Sequence, residues 1–488
     1  MANRFTAKIG AVPRRVAQRF GWGLADQAMS SLSNAAMSFY VARELGASRF
    51  GAFSLAYVTY SFMLTASRGL ATDPMLVRFS GVNPAAWRRV TARTTGTALV
   101  VGLIAGTAAL AAAAALHGGP RPAFLALGLI LPGLLVQDSW RYSFFALGQG
   151  SKAFINDTVW TVGLVPLLLV LRILHQNSVF WLMMAWGGAA ALTACVGPFQ
   201  ARVIPRPSLG WQWVVRHRDL GLRYLFENTA NSGAGQLRTY GLSFIAGLAA
   251  VGYVQAAGLL MGPFQVIFLG ISLVTVPEAA RILRHSPRHL RLYCVLVGVG
   301  LATLGVAWGS LMLILLPKGL GNVLLGAHLW RQAYRLVLPS TLSIVGYCLI
   351  AGATAGLHAL GAAKSSLRAM IISSVMYLSF TLTGAYLGGA VGTVRGAALA
   401  TCSGAVVWWW HLRVAMRDSD KIPARGPGRF GRRGGGSGPR AAVPAVPAVP
   451  IIPVKVHRTL HQRQLFQPSS RLVVQRRVDH QSRPRTRT

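Results

Sequence analysis

The chain has 488 residues, of which 53% are hydrophobic and only 12% are charged, and its mean hydropathy is +0.47. A soluble fold of this length cannot bury so much apolar surface, so the composition excludes an ordinary globular protein and indicates a membrane protein. The formal net charge of +38 arises from 49 basic and 11 acidic residues. Because the basic residues gather in alternate loops and at the C-terminus, the charge reflects membrane topology, and nucleic acid is not expected as a partner.

The first twenty residues are basic and lead into an apolar segment that has no small-residue cleavage site. We therefore expect residues 1–20 to be a basic cytoplasmic N-terminus followed by an uncleaved helix. A membrane crossing needs about 20 mostly apolar residues, because the hydrocarbon core is roughly 30 Å thick. Twelve segments meet this requirement, at approximately 21–42, 51–69, 96–116, 123–146, 157–174, 178–198, 222–248, 251–277, 292–316, 334–358, 366–388 and 392–414. The predicted fold class is an all-α polytopic membrane protein with about 12 transmembrane helices.

The connections between these segments alternate in basic content. The N-terminus and the second, sixth and eighth connections each contain four or five basic residues, whereas most intervening connections contain few. Lys318, Arg331 and Arg335 in the ninth connection are the exception. Basic loops stay on the cytoplasmic side, so this pattern predicts a multi-pass membrane protein with both termini in the cytoplasm.

An internal repeat emerges when the chain is aligned with itself so that Asp26 falls on Glu227. At the same offset Gly46 falls on Gly247 and Gly51 falls on Gly252. This offset also places the first predicted helix on the seventh. Transporters are often built from two related halves with the substrate site between them. We therefore predict two pseudo-symmetric six-helix bundles, 21–205 and 206–416, around a central cavity.

Residues 417–488 form a separate basic segment. Gly-Arg repeats are followed by an Ala-Val-Pro tract and then by scattered arginines. This composition predicts a disordered cytoplasmic tail with polyproline II character in its middle. Contact with anionic lipid headgroups is the simplest role for it, and RNA or a protein partner is the alternative.

The chain contains no recognisable catalytic or metal-binding motif. It lacks a Gly-rich loop that ends in Gly-Lys-Ser/Thr, which argues against a built-in ATPase, and its four cysteines are dispersed singly. His285 and His289 lie in an Arg-rich loop and are separated by Pro287, so they are interpreted as part of its basic surface. We therefore predict no enzymatic activity, no metal and no cofactor.

Ionisable and polar residues at membrane depth are the candidates for function, because a charge exposed to lipid costs several kcal/mol. On the seventh predicted helix, Glu227, Asn231 and Arg238 fall on one face, since the separation of Glu227 from Arg238 corresponds to about three turns. Glu227 reaches Arg238 only if the helix bends, so Asp138 is predicted as the partner of Arg238. Asp138 and Arg141 lie close enough along one helix to pair.

The first predicted helix has a matching polar stripe that contains Asp26, Gln27 and Asn34. Other interpretations remain open. Asp26 and Glu227 also suit helix N-termini or the headgroup region, Arg68 and Arg141 also suit snorkelling, and Asn156 and Asp157 are predicted as caps of the fifth helix. The candidate residues for cargo binding are Arg238, Asn34, Gln27, Asn231 and Arg141. The candidates for ion or proton coupling are Asp26, Glu227 and Asp138.

Two stretches carry a family resemblance. The stretch ARELGASRFGAFSLA, residues 42–56, and the stretch RGLATDPMLVRF, residues 68–79, resemble the first two helices of the multidrug/oligosaccharidyl-lipid/polysaccharide (MOP) exporter superfamily, with actinobacterial-type O-antigen and teichoic acid exporters as the nearest match. The resemblance extends over about residues 20–415. It implies two six-helix bundles flanking a cavity that opens alternately to either side, and a location in a bacterial plasma (inner) membrane. It also implies a cargo of undecaprenyl-diphosphate-linked oligosaccharide. Such a cargo needs cations for its diphosphate and hydrogen-bonding groups for its glycan.

The leading hypothesis is a flippase or exporter of a lipid-linked oligosaccharide or polysaccharide precursor, which works by alternating access. Its expected partners are that glycan lipid, anionic membrane lipids at the basic loops and tail, and proteins of glycan assembly. A drug/cation antiporter of the same superfamily is the first alternative, and a lipid II flippase is another. A membrane-bound glycosyltransferase or ligase would need a larger extramembrane loop with catalytic acids. A nonenzymatic scaffold that recruits partners through the tail is a further alternative, and transport that survives deletion of the tail would argue against it.

Overall fold

The protein is almost entirely helical over the residues that the structure describes. The computed structural model describes the backbone of residues 14–285 and 287–420, so most of the predicted N-terminus and tail lie outside it, as does the side chain of Asn231. No strand occurs within these residues. Their α-helices are α1 (Arg14–Ser67), α2 (Asp73–Phe79), α3 (Pro84–Ala115), α4 (Arg121–Leu147), α5 (Gly150–Ile173), α6 (Val179–Ala201), α7 (Gly210–Arg216), α8 (Arg218–His285), α9 (Pro287–Leu315), α10 (Gly321–Ala359) and α11 (Ala363–Asp420).

Membrane crossing is the role of most of these helices. Within the described residues, seven helical stretches are long and apolar enough to span a bilayer. Three of them have 54, 71 and 56 residues, far more than the about 20 that one crossing requires. Large apolar side chains remain exposed on these helices, for example Phe244 at 93% and Leu387 at 78%, as expected for surfaces that contact lipid. The chain is therefore a multi-pass membrane protein.

Glycines break the longest helices. The backbone leaves helical geometry at Gly46 in α1, at Gly247 in α8 and at Gly388 and Gly389 in α11. In α1 the chain folds back at this point, because Asp26 before the break and Arg68 after the helix both contact α4. These breaks divide the three helices into two arms each. Together with α3, α4, α5, α6, α9 and α10, these arms account for the twelve apolar segments that the sequence predicts.

The two halves repeat each other around the breaks. Gly46 and Gly247, which the alignment of the two halves pairs, have nearly the same conformation, with φ 66° and ψ 171° in one and φ 80° and ψ 174° in the other. Their neighbours also meet reciprocally. A Cβ on Gly51 would lie 1.8 Å from the Leu248 carbonyl oxygen, and a Cβ on Gly252 would lie 2.1 Å from the Ala47 carbonyl oxygen. The alignment of the two halves matches Ala47 with Leu248 and Gly51 with Gly252, so the two contacts are equivalent. The predicted pseudo-twofold repeat is therefore present in the backbone.

An insertion in the second half shifts the repeat. Gly118 and Gly319 still match at the offset that pairs Gly46 with Gly247, with φ 75° and 108°. Gly148 and Gly361, which follow the ends of α4 and α10, match only at a larger offset, with φ 75° and 67°. The added residues include the break of α10 at Gly326, and a comparison at a single offset does not reveal them.

The segment between α6 and α8, residues 202–217, packs on the first half. The backbone amide of Arg206 donates to the carbonyl of Ala92 in α3 at 2.7 Å. Gly96 allows this approach, because a Cβ there would lie 2.3 Å from the Arg206 carbonyl oxygen. The predicted boundary between the halves at residues 205 and 206 falls in this linker and stays a prediction.

Candidate functional site

The first half contains a buried ion-pair cluster between α1, α4 and α5. Its carboxylates belong to Asp26, Asp138 and Asp157, whose exposed fractions are 0%, 4% and 2%. Arg141 donates to Asp26 Oδ2 from Nε at 2.9 Å and from Nη2 at 2.5 Å. Its Nε also lies 3.2 Å from Asp157 Oδ2, and its Nη1 lies 3.9 Å from Asp138. One guanidinium thus joins carboxylates from three helices.

Arg68 provides the second cation of the cluster. It binds Asp138 through two parallel hydrogen bonds, from Nε at 2.9 Å and from Nη2 at 2.6 Å, and its guanidinium lies 4.7 Å from the centre of the Tyr142 ring. Arg68 begins a π-helical segment, Arg68–Thr72, that joins α1 to α2. Single π turns often occur at functional sites, where they change the direction of a side chain.

The prediction that Asn156 and Asp157 cap the fifth helix is wrong. Helix α5 begins at Gly150, and both residues are buried within it. The prediction fails because polar residues extend the helix beyond the start of its apolar segment. Gln137 donates from Nε2 to Asp157 Oδ1 at 2.8 Å and to Asn156 Oδ1 at 3.2 Å, which fixes both side chains beside the cluster.

The cluster has one more acid than base. Three carboxylates face two guanidiniums, and two buried oxygens, Asp26 Oδ1 and Asp157 Oδ2, accept no hydrogen bond from the described residues. An unpaired buried charge is costly, so such a site favours uptake of one proton or a small cation. In the described part of the chain, no three His, Cys, Asp or Glu side chains are placed so that they could hold one metal ion together.

The second half contains a cation in a different environment. Arg238 of α8 donates from Nη1 to the Tyr377 hydroxyl at 2.7 Å, and its guanidinium lies 5.8 Å from the centre of the same ring. Tyr347 of α10 lies beside Tyr377, with 6.4 Å between the ring centres. The Nε of Arg238 is buried without a hydrogen-bond partner among the described residues.

Arg238 has no carboxylate partner within the described residues. The prediction that Asp138 pairs with it is wrong, because Asp138 is engaged by Arg68. Glu227 is exposed and forms no ion pair in the described part of the chain. The sequence explains this isolation, because Glu278 is the only acidic residue between Glu227 and Asp418.

The polar residues along α1 differ in their contacts. Asn34 accepts a hydrogen bond from the Trp186 indole at 3.1 Å and donates to the Ser30 carbonyl at 2.8 Å, so both ends of its amide are engaged. Gln27 is exposed and bonds to Ser31. The predicted roles of Gln27 and Asn34 in cargo binding stay predictions. The side chain of Asn231 lies outside the described residues, so its role also stays a prediction.

The halves meet along the second arm of α1 and the first arm of α8. Thr59 and Tyr240 share a hydrogen bond of 2.7 Å between their hydroxyls. Nearer one end, Asn228 donates to Asp73 at 3.0 Å, and Gly69 lies against the backbone of Leu225. These contacts connect the two halves through polar groups and glycines, and a buried apolar cluster that includes Phe50 and Phe53 of the first half and Leu260 and Leu329 of the second half adds to them.

Sequence reasoning misses the arrangement across helices. Spacing identifies Asp138 and Arg141 as neighbours on one helix, yet the strongest contacts of each are with Arg68 and Asp26, which belong to other elements of the chain. Tyr377 is not singled out, because a tyrosine in an apolar helix gives no signal of its own. The ionisable character of Asp157 at membrane depth is the signal that would have identified it.

Solved structures with this fold are membrane transporters. One is an inward-facing multidrug resistance MATE family transporter of the MOP superfamily, with a TM-score of 0.62 and 14% identity over 82% of this chain and 99% of that chain. Another is the lipid II flippase MurJ in an inward closed conformation, with a TM-score of 0.61 and 9% identity over 82% of this chain and 90% of that chain. No protein-family model matches the sequence, and the search of curated proteins gave no significant match. At these identities the likeness shows that the chain has the two-lobed fold of MOP superfamily transporters.

Proposed function

We propose that this membrane protein is a transporter that flips or exports a lipid-linked oligosaccharide or polysaccharide precursor by alternating access. Its MOP-type fold supports a transporter that works with two lobes. The sequence stretches at residues 42–56 and 68–79 support the glycan exporters within that superfamily. The cargo would carry a diphosphate, a compact dianion that needs cationic or hydrogen-bonding partners inside the protein.

Arg238 is the observation that carries the proposal. A guanidinium within a membrane helix normally requires a counter-ion, and Arg238 instead donates a hydrogen bond to the hydroxyl of Tyr377 at 2.7 Å. Its Nε donor is buried and unused within the described residues. A phosphate oxygen is the partner that suits a free guanidinium donor, because such bonds are charge-assisted and geometrically specific.

The cluster of the first half gives the transporter a means of coupling. Asp26, Asp138 and Asp157 together exceed Arg68 and Arg141 by one negative charge, so we assign to this cluster the uptake of a proton or a cation. The coupling role expected for Asp26 and Asp138 is extended here to Asp157. Glu227 is exposed, which makes it the weakest of the coupling candidates.

The test compares Arg238→Gln with Arg238→Lys. Full-length protein reconstituted into liposomes should translocate a fluorescent undecaprenyl-diphosphate oligosaccharide, and Arg238→Gln should reduce the rate at least tenfold. Arg238→Lys should retain part of the rate, because it keeps the charge without the bidentate geometry. Arg284→Gln, at an exposed arginine outside the predicted apolar segments, serves as the control. Unchanged translocation by Arg238→Gln would contradict the role of this residue.

A drug/cation antiporter is the second candidate, favoured by the excess carboxylate of the buried cluster. It would bind a cationic cargo, which a free arginine at the site disfavours. Efflux of a cationic dye from the same proteoliposomes, driven by a proton or sodium gradient, distinguishes the two functions. Dye efflux without movement of the lipid-linked glycan would replace the proposed function with this one.

A further inference from the structure

A strongly positive cavity lies at one end of the first half, apart from Arg238. Its volume is about 360 Å³, within the range of roughly 300–1,000 Å³ that is typical of small-ligand sites. Nine residues line it, and five of them are arginines, whereas no carboxylate is among them. The arginines are Arg88, Arg89, Arg93, Arg202 and Arg206.

None of these five guanidiniums has an ion-pair partner among the described residues. Two aspartates near this end have partners of their own, because Asp219 is engaged by Arg78 and Asp73 accepts a hydrogen bond from Asn228. Like charges around one concave surface repel each other, so the arrangement costs free energy unless an anion occupies it. A solvated basic face would let the same side chains spread apart over a flat or convex surface.

The backbone holds the arginines around the cavity. Arg88, Arg89 and Arg93 lie in the first three turns of α3, whose positive dipole end adds to their potential. Arg206 is fixed to α3 by the hydrogen bond from its amide to the Ala92 carbonyl. Arg202 ends α6 in the left-handed conformation, with φ 52°. A residue with a Cβ adopts this conformation at a cost, so the rest of the linker must hold it there.

The surroundings of the cavity suit a membrane interface. Ile204, which lines the cavity, is 78% exposed, and Trp211 on the adjoining helix α7 is 75% exposed. Tryptophan favours the headgroup level of a bilayer, where its ring is amphipathic. The sequence-based orientation predicts that this end, which carries the second and sixth connections, faces the cytoplasm.

We propose that this arginine cavity is a binding site for a phosphate-bearing anion, and that the anion is the headgroup of a lipid in the cytoplasmic leaflet. Several guanidiniums around one phosphate form charge-assisted bonds, and basic pockets beside transmembrane helices are suited to anionic headgroups. The site is separate from Arg238, so it holds whether or not the cargo is a lipid-linked glycan.

The test uses purified full-length protein in neutral detergent, with soluble dioctanoyl phosphatidylglycerol as the probe and dioctanoyl phosphatidylcholine as its neutral counterpart. Native mass spectrometry should show at least tenfold tighter binding of phosphatidylglycerol. The variant Arg93→Gln/Arg202→Gln/Arg206→Gln should lose at least tenfold of that affinity. The matched variant Arg284→Gln/Arg291→Gln/Arg368→Gln removes three exposed arginines from the second half and should lose less than twofold.

Inorganic pyrophosphate distinguishes the source of the phosphate. If it fails to displace phosphatidylglycerol, the site is assigned to a lipid headgroup, and if it displaces the lipid at a similar concentration, the site is assigned to a free phosphate compound. Arg93→Lys/Arg202→Lys/Arg206→Lys should keep part of the affinity, which separates loss of charge from misfolding. Equal loss in the cavity variant and the matched variant, or equal binding of the two lipids, would overturn the proposal.

Discussion

Arginine within the membrane behaves differently in the two halves of this chain, and the difference begins with individual residues. Arg141 and Arg68 are neutralised by buried aspartates, whereas Arg238 has only the hydroxyl and ring of Tyr377. The same type of residue is therefore paired with carboxylates in one half and has no carboxylate partner among the described residues in the other. The position of these three arginines within apolar segments of the sequence identifies them as candidates. Only the contacts between helices show which of them are paired.

Arg141 should be essential for stability. Arg141→Gln leaves the carboxylates of Asp26 and Asp157 buried without their main cation, which should cost about 3–5 kcal/mol of the free energy of unfolding. The measurement is denaturant unfolding of the purified protein in detergent. Adding Asp157→Asn removes one of the uncompensated charges, so the double variant should recover part of the loss.

Glu227→Gln is the control for this prediction, because Glu227 is exposed and forms no ion pair in the described part of the chain. Its effect should stay within about 0.5 kcal/mol, as for most surface substitutions. If Arg141→Gln were no more destabilising than Glu227→Gln, the ion-pair cluster would not hold the first half together.

At the scale of elements, the sequence predicts the helices well because each crossing leaves a long apolar signal. The twelve segments and the internal repeat follow from composition and spacing alone. The start of α5 and the insertion that contains Gly326 could not be predicted in this way. Polar residues at the end of a helix end the apolar signal before the helix itself ends, and a single glycine break inside a helix changes the mean hydropathy very little.

The reciprocal glycine contacts should limit substitution where α1 meets α8. Gly51→Ala would place a Cβ 1.8 Å from the Leu248 carbonyl oxygen, so the backbones must move apart at a cost of about 1–3 kcal/mol. Thermal unfolding in detergent measures the loss. Gly262→Ala in α8 is the matched control, because a Cβ there meets nothing within 4 Å and alanine favours a helix. Equal melting temperatures for the two variants would contradict the contact.

Docking of the linker should depend on pH through His217. Burial, and then the charge of Arg78, lower the pKa of His217. Nη1 of Arg78 lies 2.7 Å from Nδ1 of His217, a geometry that requires the neutral imidazole as acceptor. Because the pKa is about 6.5 when histidine is exposed, the undocked linker binds the proton more readily. The stabilisation should therefore be complete above about pH 6.5 and should decline as the pH falls below that value.

Hydrogen exchange of residues 203–217 measures this effect. After correction for intrinsic rates, protection should fall between pH 7.5 and pH 5.5. His217→Gln keeps a hydrogen-bond acceptor for Arg78 but does not titrate, so its protection should stay constant over the same interval. An equal fall in protection for the variant would exclude His217 as the cause.

At the scale of the whole molecule, alternating access requires the two halves to separate at one end and then at the other. The end near the linker is closed by contacts between the chain after α1 and the start of α8. A Cβ on Gly221 would lie 3.8 Å from the Cα of Leu70, so a cysteine pair at these positions is within reach of a disulfide. Oxidation of Gly221→Cys/Leu70→Cys should therefore hold this end closed and stop translocation of the lipid-linked glycan, and reduction should restore it.

A disulfide within one half is the control, because it shows whether oxidation itself affects translocation when the two halves are not linked. A Cβ on Gly298 would lie 3.5 Å from the Cα of Leu349, and both residues belong to the second half, so Gly298→Cys/Leu349→Cys should leave translocation unchanged. The exposed Cys195 and Cys402 are replaced by alanine in both proteins, which removes side reactions. Since the halves are joined here mainly by small polar groups and glycines, the closed end should open readily once the disulfide is reduced. If the oxidised Gly221→Cys/Leu70→Cys protein translocated the glycan at the full rate, the halves would not need to separate at this end. Alternating access would then be the wrong mechanism for this protein.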